Sequence, residues 1–578
     1  MHLKMAIFNR ANVIPCSLLN NTYYKFTPCI MGFKEQKRYL AACNDNNPWV
    51  PQGKRTGKGG VISPAFVMFE DMLNFRRRQA YKSILVQVQS PKSQEELFHY
   101  CTEFGDILSM HHYKTVQNQH FILIEYMNTL AVNKVLNHGS YTEENQIAPA
   151  GTSTLWFRNG KSSIKLSKHK TVGLSVINGV YTHSDQEIFK LMQNSKNASE
   201  QMVNLYNAFK LDDLEARLRF YTACQLEQCL AGLFPDIIIQ PFGSSVNGFG
   251  KRRCDLDLVL YVERSKKKNS SRLIFHAKPL LVGQRSEQKE LLVSLANTLE
   301  YFFPGIRNVR KIVEARVPII KFSHDYTNIE CDLSTSNTAA MYMSELLYIY
   351  GELDERVKPL VFTIRKWAWQ HRITCSHPGR WISNFSLTLL VVFYLQQQQI
   401  LPSVKLLKSY ATHSDIRLTN DLVDCTFLHD LSKLPSKHRL NRNSQSLEAL
   451  MHGFFEYYCK FDFNSQAISI RDGLPVKKAD NSPLYICNPL EPSLNVSKNV
   501  STQELERIKV TARDALFILE TLDGTSSWGL IPLFGLRNAG AKTINVSKII
   551  EASGDSKDSR DFDSTIIAEN EKGEIKQQ

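Results

Sequence analysis

The sequence predicts an α+β protein in which a small α/β sandwich precedes a mixed segment of strands and helices and then a mainly helical C-terminal half. Three observations carry this. Strand-like alternation and helical spacing take turns over residues 84–136. They do so again between Ile237 and Leu333, and beyond Met341 the apolar residues recur mainly at helical spacing, weakening from Gln397 to Ser446 and resuming at Leu447–Tyr458.

Composition supports several folded units. The chain has 578 residues, 43% of them hydrophobic, which is enough for more than one core. Its 70 Lys and Arg outnumber 56 Asp and Glu, a formal charge of +14 that suits an anionic partner, nucleic acid first, without identifying one. The 12 cysteines are scattered and form no CxxC pair, so neither a zinc module nor a small disulfide framework is indicated and a reducing compartment fits. No run of about eighteen apolar residues occurs, which argues against an ordinary membrane span.

The elements follow in order. From Met1 to Lys34 there is no Asp or Glu, while Lys4, Arg10, Lys25 and Lys34 stand among Leu3, Ile7, Phe8, Val13 and Leu18. That composition predicts a mitochondrial transit peptide and leader over 1–45. Residues 46–80, with the run Gly53–Gly60, read as a basic linker. Over 81–145, Ile84, Val86 and Val88 mark a strand, Glu95–Phe104 a helix, His120–Tyr126 a second strand and Asn128–Leu136 a second helix. With Phe104-Gly105-Asp106-Ile107 after its first helix, this segment resembles an RNA-recognition motif. Such domains stack bases on sheet aromatics, but only Phe121 keeps that character here, with Leu85 and Leu123 at the other positions. The sheet face is therefore expected to be a protein contact, a homodimer interface, rather than an RNA platform.

Residues 146–185, containing Pro149, Gly151, Gly160 and four lysines between 161 and 170, read as a second linker. A helical segment over 186–235 is expected to pack on the next unit through Leu211, Leu214, Leu218, Ala223 and Leu226. In the C-terminal half, Val357, Leu360, Val361, Ile364, Trp367 and Ala368 lay one apolar stripe on a core, and Phe385–Leu395 is nearly continuously apolar. Residues 553–578 are charged and apolar-poor, the makeup of a disordered tail.

The chemistry concentrates between 237 and 333. An apolar strand from Ile237 feeds a turn in which Gly243 permits tight backbone geometry and Ser244 and Ser245 offer hydroxyls and amides to phosphate oxygens. The next strand carries Asp255 and Asp257 on one face, because residues two apart in a strand point the same way, while Leu256, Leu258 and Leu260 face the core. Carboxylates so close repel when ionised, and a bound cation with hard oxygen preference removes that penalty. A hairpin follows, Val317–Ser323 turning through His324–Asn328 into Ile329–Leu333, and it brings a third carboxylate, Asp332; Glu330 shares its parity but lies nearer the turn. Three such acids permit two metal ions about 4 Å apart.

The pattern Phe242-Gly243-Ser244-Ser245-Val246-Asn247-Gly248-Phe249-Gly250, Cys254-Asp255-Leu256-Asp257 and Cys331-Asp332-Leu333 resembles the DNA polymerase beta-like nucleotidyltransferases. Within them it is similar to the non-canonical poly(A) and terminal uridylyl transferases, a resemblance that extends through Ser344–Tyr350, Trp381–Leu387 and Asn495–Val500. It implies a nucleotidyltransferase palm with a mixed sheet over 236–340 and a helical central and poly(A)-polymerase-associated domain over 341–540. It also implies that Asp255, Asp257 and Asp332 hold Mg²⁺ or Mn²⁺ and are catalytic, with Gly243 and Ser244 at the triphosphate of ATP. Asn337 would reach the ribose or base edge, though by its residue type alone it equally suits a helix cap. Arg365 would neutralise phosphate. The family's second phosphate lysine is replaced by Trp369, with Lys358, Arg372 or loop residues left to compensate and Lys366 on a different helical face. Phe385 would stack on the base, with Asn384 beside it, and Leu494, where uridylyl-selective relatives often carry His, disfavours uracil.

The implied function is template-independent addition of AMP from ATP to RNA 3′ ends in the mitochondrial matrix, with release of pyrophosphate. Terminal uridylyl transfer and a catalytically silent RNA-binding scaffold are the alternatives. Arg252, Arg253 and Lys266–Lys268 are candidates for backbone phosphates of RNA, and other RNA-binding proteins of the mitochondrion are the expected source of substrate choice.

Overall fold

The computed structural model describes residues 66–138, 154–157, 173–176, 183–233, 237–262, 284–335, 337–377, 379–419, 422–435, 443–521 and 529–535. The expected leader, the Gly53–Gly60 joint, Lys266–Lys268 and the tail over 553–578 lie outside the described residues.

The first described element is helix α1, Phe69–Tyr81, inside the span expected to be a basic linker. Its basic run hides an amphipathic pattern: Phe69, Met72, Arg76 and Ala80, at spacings of three and four, are all buried. The α/β sandwich follows as β1 (Ser83–Val88), α2 (Gln94–Thr102), β2 (Ile107–Lys114), β3 (His120–Tyr126), α3 (Thr129–His138), β4 (Thr154–Trp156) and β5 (Leu174–Val176). Its sheet runs β4-β1-β3-β2-β5, with β1 and β2 antiparallel to β3 and the two edge strands parallel to their neighbours. Both edge strands fall in the span 146–185 read as linker. They are three residues long and only partly covered or exposed, so they carry no alternation long enough to announce a strand.

The parity of this sheet decides its role. Ile84, Val86, Val88, Ile122, Ile124 and Tyr126 pack on Leu97, Phe98, Ala131, Val132 and Val135 of the two helices. On the opposite face Leu85, Tyr113, Phe121 and Leu123 join the same core as Leu214, Leu218 and Tyr221. Phe121 is fully buried and stacks on Tyr113 at 5.7 Å. The Tyr113 hydroxyl donates to the Tyr326 carbonyl at 2.6 Å, and the Leu85 amide donates to the Tyr221 hydroxyl at 3.1 Å. The face is thus a protein contact, as expected, but the contact is made within the chain. It is closed both to a second copy and to stacked bases, and Phe121 is a core residue.

Where one helical segment was expected there are three helices: α4 (Asp185–Gln193), α5 (Ala198–Phe209) and α6 (Asp213–Leu230). Ser184, Asn197 and Asp212 each cap one by accepting from the backbone amide three residues on, which is why the chain restarts twice. Charged pairs tie α6 to its neighbours. Arg76 meets Asp213 at 2.6 Å, Arg77 meets Glu227 at 2.7 Å, and Arg217 bridges Asp213 at 2.6 Å and Glu125 of β3 at 2.5 Å.

The second sheet is built from β6 (Ile237–Phe242), β7 (Leu256–Val262), β8 (Ile306–Ile312), β9 (Ile319–His324) and β10 (Ile329–Ser334), with α7 (Gln284–Phe302) between β7 and β8. The order is β6-β7-β10-β9-β8, with β7 and β10 parallel and every other pair antiparallel. This is the mixed sheet expected. The helical half comprises α8 (Thr338–Leu353), α9 (Val357–Gln370), α10 (Asn384–Gln397), α11 (Val404–Ser409), α12 (Leu447–Lys460) and α13 (Thr502–Thr521). It also carries a three-stranded sheet ordered β12-β11-β13 from β11 (Gln466–Ser469), β12 (Leu474–Lys477) and β13 (Ile486–Cys487). Among the described residues no helix is long and apolar enough to cross a membrane.

Candidate active site

The register of the second sheet brings the three acids together. Asp257 on β7 pairs in register with Phe242 at the end of β6 and with Asp332 on β10, and Asp255 stands just before β7. Asp332 in turn lies opposite Lys321 of β9. The Lys321 Nζ is 3.1 Å from Asp332 Oδ1 and 3.4 Å from Asp255 Oδ2, an ammonium held between two carboxylates. Lys321 is a member of this cluster that the sequence reading passed over. Counting back across the hairpin from Asp332 would have found it.

Electrostatics mark the cluster as short of positive charge. Burial, then Asp332 and Asp255, push the Asp257 carboxyl up to about 7, against the opposing pull of Lys321. Asp332 is also raised, by burial first, with Lys321 working the other way. Lys321 is raised above its ordinary value because Asp332 and Asp255 outweigh its burial. Among the described residues no three His, Cys, Asp or Glu side chains form a ready-made cage for an ion. An open carboxylate cluster still fits Mg²⁺ or Mn²⁺, because such sites take one or two carboxylates and complete the shell with water and substrate phosphate. Asp255, Asp257 and Asp332 are the residues of the right chemistry and register to hold it.

The turn after β6 is shaped around Asp257. Gly243 has φ +67°, and a Cβ there would lie 2.5 Å from Asp257 Oδ2, so no other residue fits without displacing the acid. Its amide donates to Ser344 Oγ at 2.7 Å, fixing the turn to α8. The Ser244 hydroxyl points to Cys254 Sγ at 3.3 Å, a weak acceptor that a phosphate oxygen would readily replace.

A cavity of about 590 Å³ opens beside this turn, and Gly243, Ser244, Asp257, Asn337, Arg365, Asn384 and Phe385 all line it. Asp255 and Asp332 are not in its wall. Asn337 precedes α8 but its side chain makes no capping hydrogen bond, so the helix-cap role is not the one it plays. Phe385, one residue into α10, is half-buried and faces the cavity rather than the helix core. Arg365 donates from Nη1 to the Phe249 carbonyl at 2.6 Å and from Nε to Thr388 Oγ1 at 3.0 Å. Its burial lowers it to about 10, which leaves it cationic at neutral pH.

Two expectations change. Lys366 was assigned to another helical face, yet it lines this cavity together with Lys251 and Trp369. Lys251 Nζ sits 5.4 Å from the centroid of the Trp369 ring. Lys251 of the loop after Gly250 and Lys366 of α9, three residues before Trp369 and with its Nζ 3.9 Å from Asp185 Oδ1, are thus the cations that join Arg365 in the cavity wall; Lys358 instead pairs with Glu352 and Arg372 does not line the cavity. Leu494 does not line the cavity either. Its segment contributes Asn488, Leu490 and Glu491, because the Leu494 amide turns back to the Glu491 carbonyl at 2.9 Å. Arg252 and Arg253 lie outside this cavity, in a second one behind Cys254.

Residues 198–352 match the family model described as poly(A) RNA polymerase, mitochondrial-like, central palm domain, and residues 446–493 match that of the Cid1 family poly A polymerase. The chain is 42% identical over 467 residues to the mitochondrial poly(A) RNA polymerase of Drosophila melanogaster, covering 78% of this chain and 76% of that protein. A crystal structure of mtPAP in complex with UTP superposes with a TM-score of 0.74 at 33% identity, covering 81% of this chain and 99% of that one. The ATPγS complex of mtPAP superposes with a TM-score of 0.73 at 33% identity, over 81% and 99% of the two chains.

Proposed function

The chain belongs to the mitochondrial poly(A) RNA polymerase family and is a polynucleotide adenylyltransferase; from that premise we propose that it extends RNA 3′ ends with AMP from ATP, without a template, in the mitochondrial matrix. The observation that carries this reading is the convergence of Ser244, Asp257, Asn337, Arg365, Asn384 and Phe385 on one cavity beside Asp255 and Asp332.

Each group has a task its chemistry suits. Phe385 offers a ring face to the base, an interaction typically worth about 1–3 kcal/mol that tolerates any base. Asn337 and Asn384 reach the sugar. Ser244 donates to a phosphate oxygen, while Arg365, Lys251 and Lys366 balance the triphosphate charge. Asp255, Asp257 and Asp332 would hold Mg²⁺ or Mn²⁺, which supplies charge neutralisation at the phosphates and a more acidic attacking hydroxyl. Trp369, stacked under Lys251, holds that lysine over the cavity. The adenine preference is assigned to Asn488 and Glu491, the polar groups of the 485–496 segment that line the cavity.

The acceptor is RNA, with Arg252 and Arg253 on its side of the site. The expected homodimer is placed on the outer surfaces of the RNA-recognition-motif-like domain, where Trp156 and Val176 of the edge strands are more than half exposed. Other mitochondrial RNA-binding proteins would supply the choice of transcript.

The test is a labelled RNA primer with Mg²⁺ or Mn²⁺ and each nucleoside triphosphate in turn. Long extension with ATP is the expected result. Preferential UTP addition would establish the uridylyl transferase reading in its place, and no addition with any nucleotide would leave the silent scaffold.

A further inference from the structure

The segment after β13 closes into a tight loop in the wall of the nucleotide cavity. The Asn488 amide donates to the Leu494 carbonyl at 2.8 Å, and the Leu494 amide to the Glu491 carbonyl at 2.9 Å. Inside the loop Asn488 Oδ1 accepts from the Leu490 and Glu491 amides at 2.9 and 3.1 Å, an Asx turn that fixes the backbone of Glu491. With its oxygen so occupied, Asn488 has its Nδ2 donor left for the cavity it lines. Glu491 lines the same cavity and, when ionised, can only accept.

The backbone of Glu491 is held from within the loop, and its carboxylate is held from outside. Arg316, in the turn between β8 and β9 of the palm, places Nη2 3.1 Å from Glu491 Oε2. Among the described residues this is the carboxylate's one hydrogen-bond donor, so Oε1 is left to a ligand. The turn is itself anchored. Lys289 Nζ of α7 meets Glu314 Oε1 at 2.7 Å, and five residues beyond Arg316 the same stretch of chain delivers Lys321 to Asp332 and Asp255. Arg316 is 66% exposed and the Glu491 side chain 25%, and an ion pair so open to water contributes little to stability. What a guanidinium fork does at such a site is fix the direction of the carboxylate.

A fixed acceptor beside a fixed donor reads a base edge by the order of its groups. Adenine offers its N6 amino donor beside the N1 acceptor, whereas uracil offers the O4 acceptor beside the N3 donor. The wrong order sets acceptor against acceptor and leaves polar groups unpaired, which is a stronger source of discrimination than shape. We infer that Arg316 is a positioning residue for nucleotide selection, orienting the Glu491 carboxylate beside the Asn488 amide to take the amino group of adenine and reject uracil. It acts through Glu491 and does not touch the base. This deepens the proposed function and rests on its assignment of the adenine preference to Asn488 and Glu491.

The experiment uses the full chain, with ATP and UTP compared in primer extension and, without primer, in calorimetric binding. Arg316→Ala is expected to lower the ATP-over-UTP ratio of kcat/KM about tenfold, mainly through the KM for ATP, while the Tm moves by less than about 1 °C. Arg316→Lys, which keeps the charge but not the fork, should lower the ratio only about threefold. Glu491→Gln should lower it at least as far as Arg316→Ala, and combining the two should change nothing further, since one acts through the other. An unchanged ratio in Arg316→Ala, an effect that multiplies with that of Glu491→Gln, or a loss confined to primer affinity would each overturn the proposal. Wild-type protein that binds ATP over UTP, loses that preference in Arg316→Ala and yet adds no AMP to any primer would instead sink the proposed function and leave the role of Arg316 standing.

Discussion

The two five-stranded sheets make opposite use of the same period-two pattern. In the RNA-recognition-motif-like sheet both faces are apolar, one under its own helices and the other against the palm. In the palm sheet one face is apolar and the other carries Asp257, Asp332 and Lys321 in a single cross-strand row. A sheet buried on both faces is scaffold. A sheet with one charged row has been left open for chemistry, and the contrast shows in two carboxylates. Asp213, at the scaffold seam, is held well below its ordinary range because Arg76 and Arg217 outweigh its burial. Asp257 is raised by burial and by two like charges. One acid stabilises the fold; the other is kept at the expense of stability.

That contrast is sharpest in activity. Asp257→Asn should lower AMP transfer by roughly a thousand-fold or more, since it removes a carboxylate proposed to hold the metal in the transition state. Steady-state extension of an RNA primer measures this, and near-normal turnover would remove Asp257 from the site. Asp213→Asn should leave chemistry nearly intact yet cost about 3–5 kcal/mol in denaturant unfolding, the usual penalty for stranding a buried charge. Phe121→Ala belongs with it: about 3–5 kcal/mol removed from the core, and no direct effect on RNA affinity. A selective loss of RNA binding at unchanged stability would restore the base-stacking role to that sheet.

The pH dependence should run in opposite directions for the two acids. The folded value of Asp257 is raised to about 7, so its protonated form favours folding, and in metal-free protein that contribution is lost as pH rises from about 4 through 7. Asp257→Asn should flatten this slope and raise the Tm at pH 8. Asp213, being depressed, contributes stability above about pH 4 that is lost as pH falls through its folded value. A thermal-unfolding series in EDTA for the two variants separates the slopes. The smallest expected effect is at Lys251→Ala, a several-fold rise in the KM for ATP with kcat little changed, because Lys366 and Arg365 stay in the same cavity.

Much of this was legible because the palm obeys its local pattern. The Gly-Ser turn, the Asp-x-Asp strand and the hairpin acid are local features, and the pairing of β7 with β10 then sets Asp332 beside Asp257, with Asp255 just before β7. What escaped was decided by non-local packing. Arg76 and Arg77 looked like linker charges until Asp213 and Glu227 were placed opposite them. The edge strands at Thr154–Trp156 and Leu174–Val176 exist because β1 and β2 offered them a partner, not because three residues specify a strand. Leu494 was assigned a pocket role from its place in a motif, but with its amide turned back to Glu491 it stays out of the cavity wall, which Asn488, Leu490 and Glu491 line instead.

The closed face of the first sheet also limits what can be cut from the molecule. A domain joined by a linker can be deleted or grafted as a unit, whereas this one forms a wall of the adjoining hydrophobic core through Leu85, Tyr113, Phe121 and Leu123. Truncation before the palm would lay bare Leu214, Leu218 and Tyr221, so a shortened chain that aggregates reports lost solubility rather than a lost partner. The smallest autonomous unit of this enzyme includes its N-terminal sandwich, and recombining palms with other N-terminal modules would require redesigning both sides of that seam.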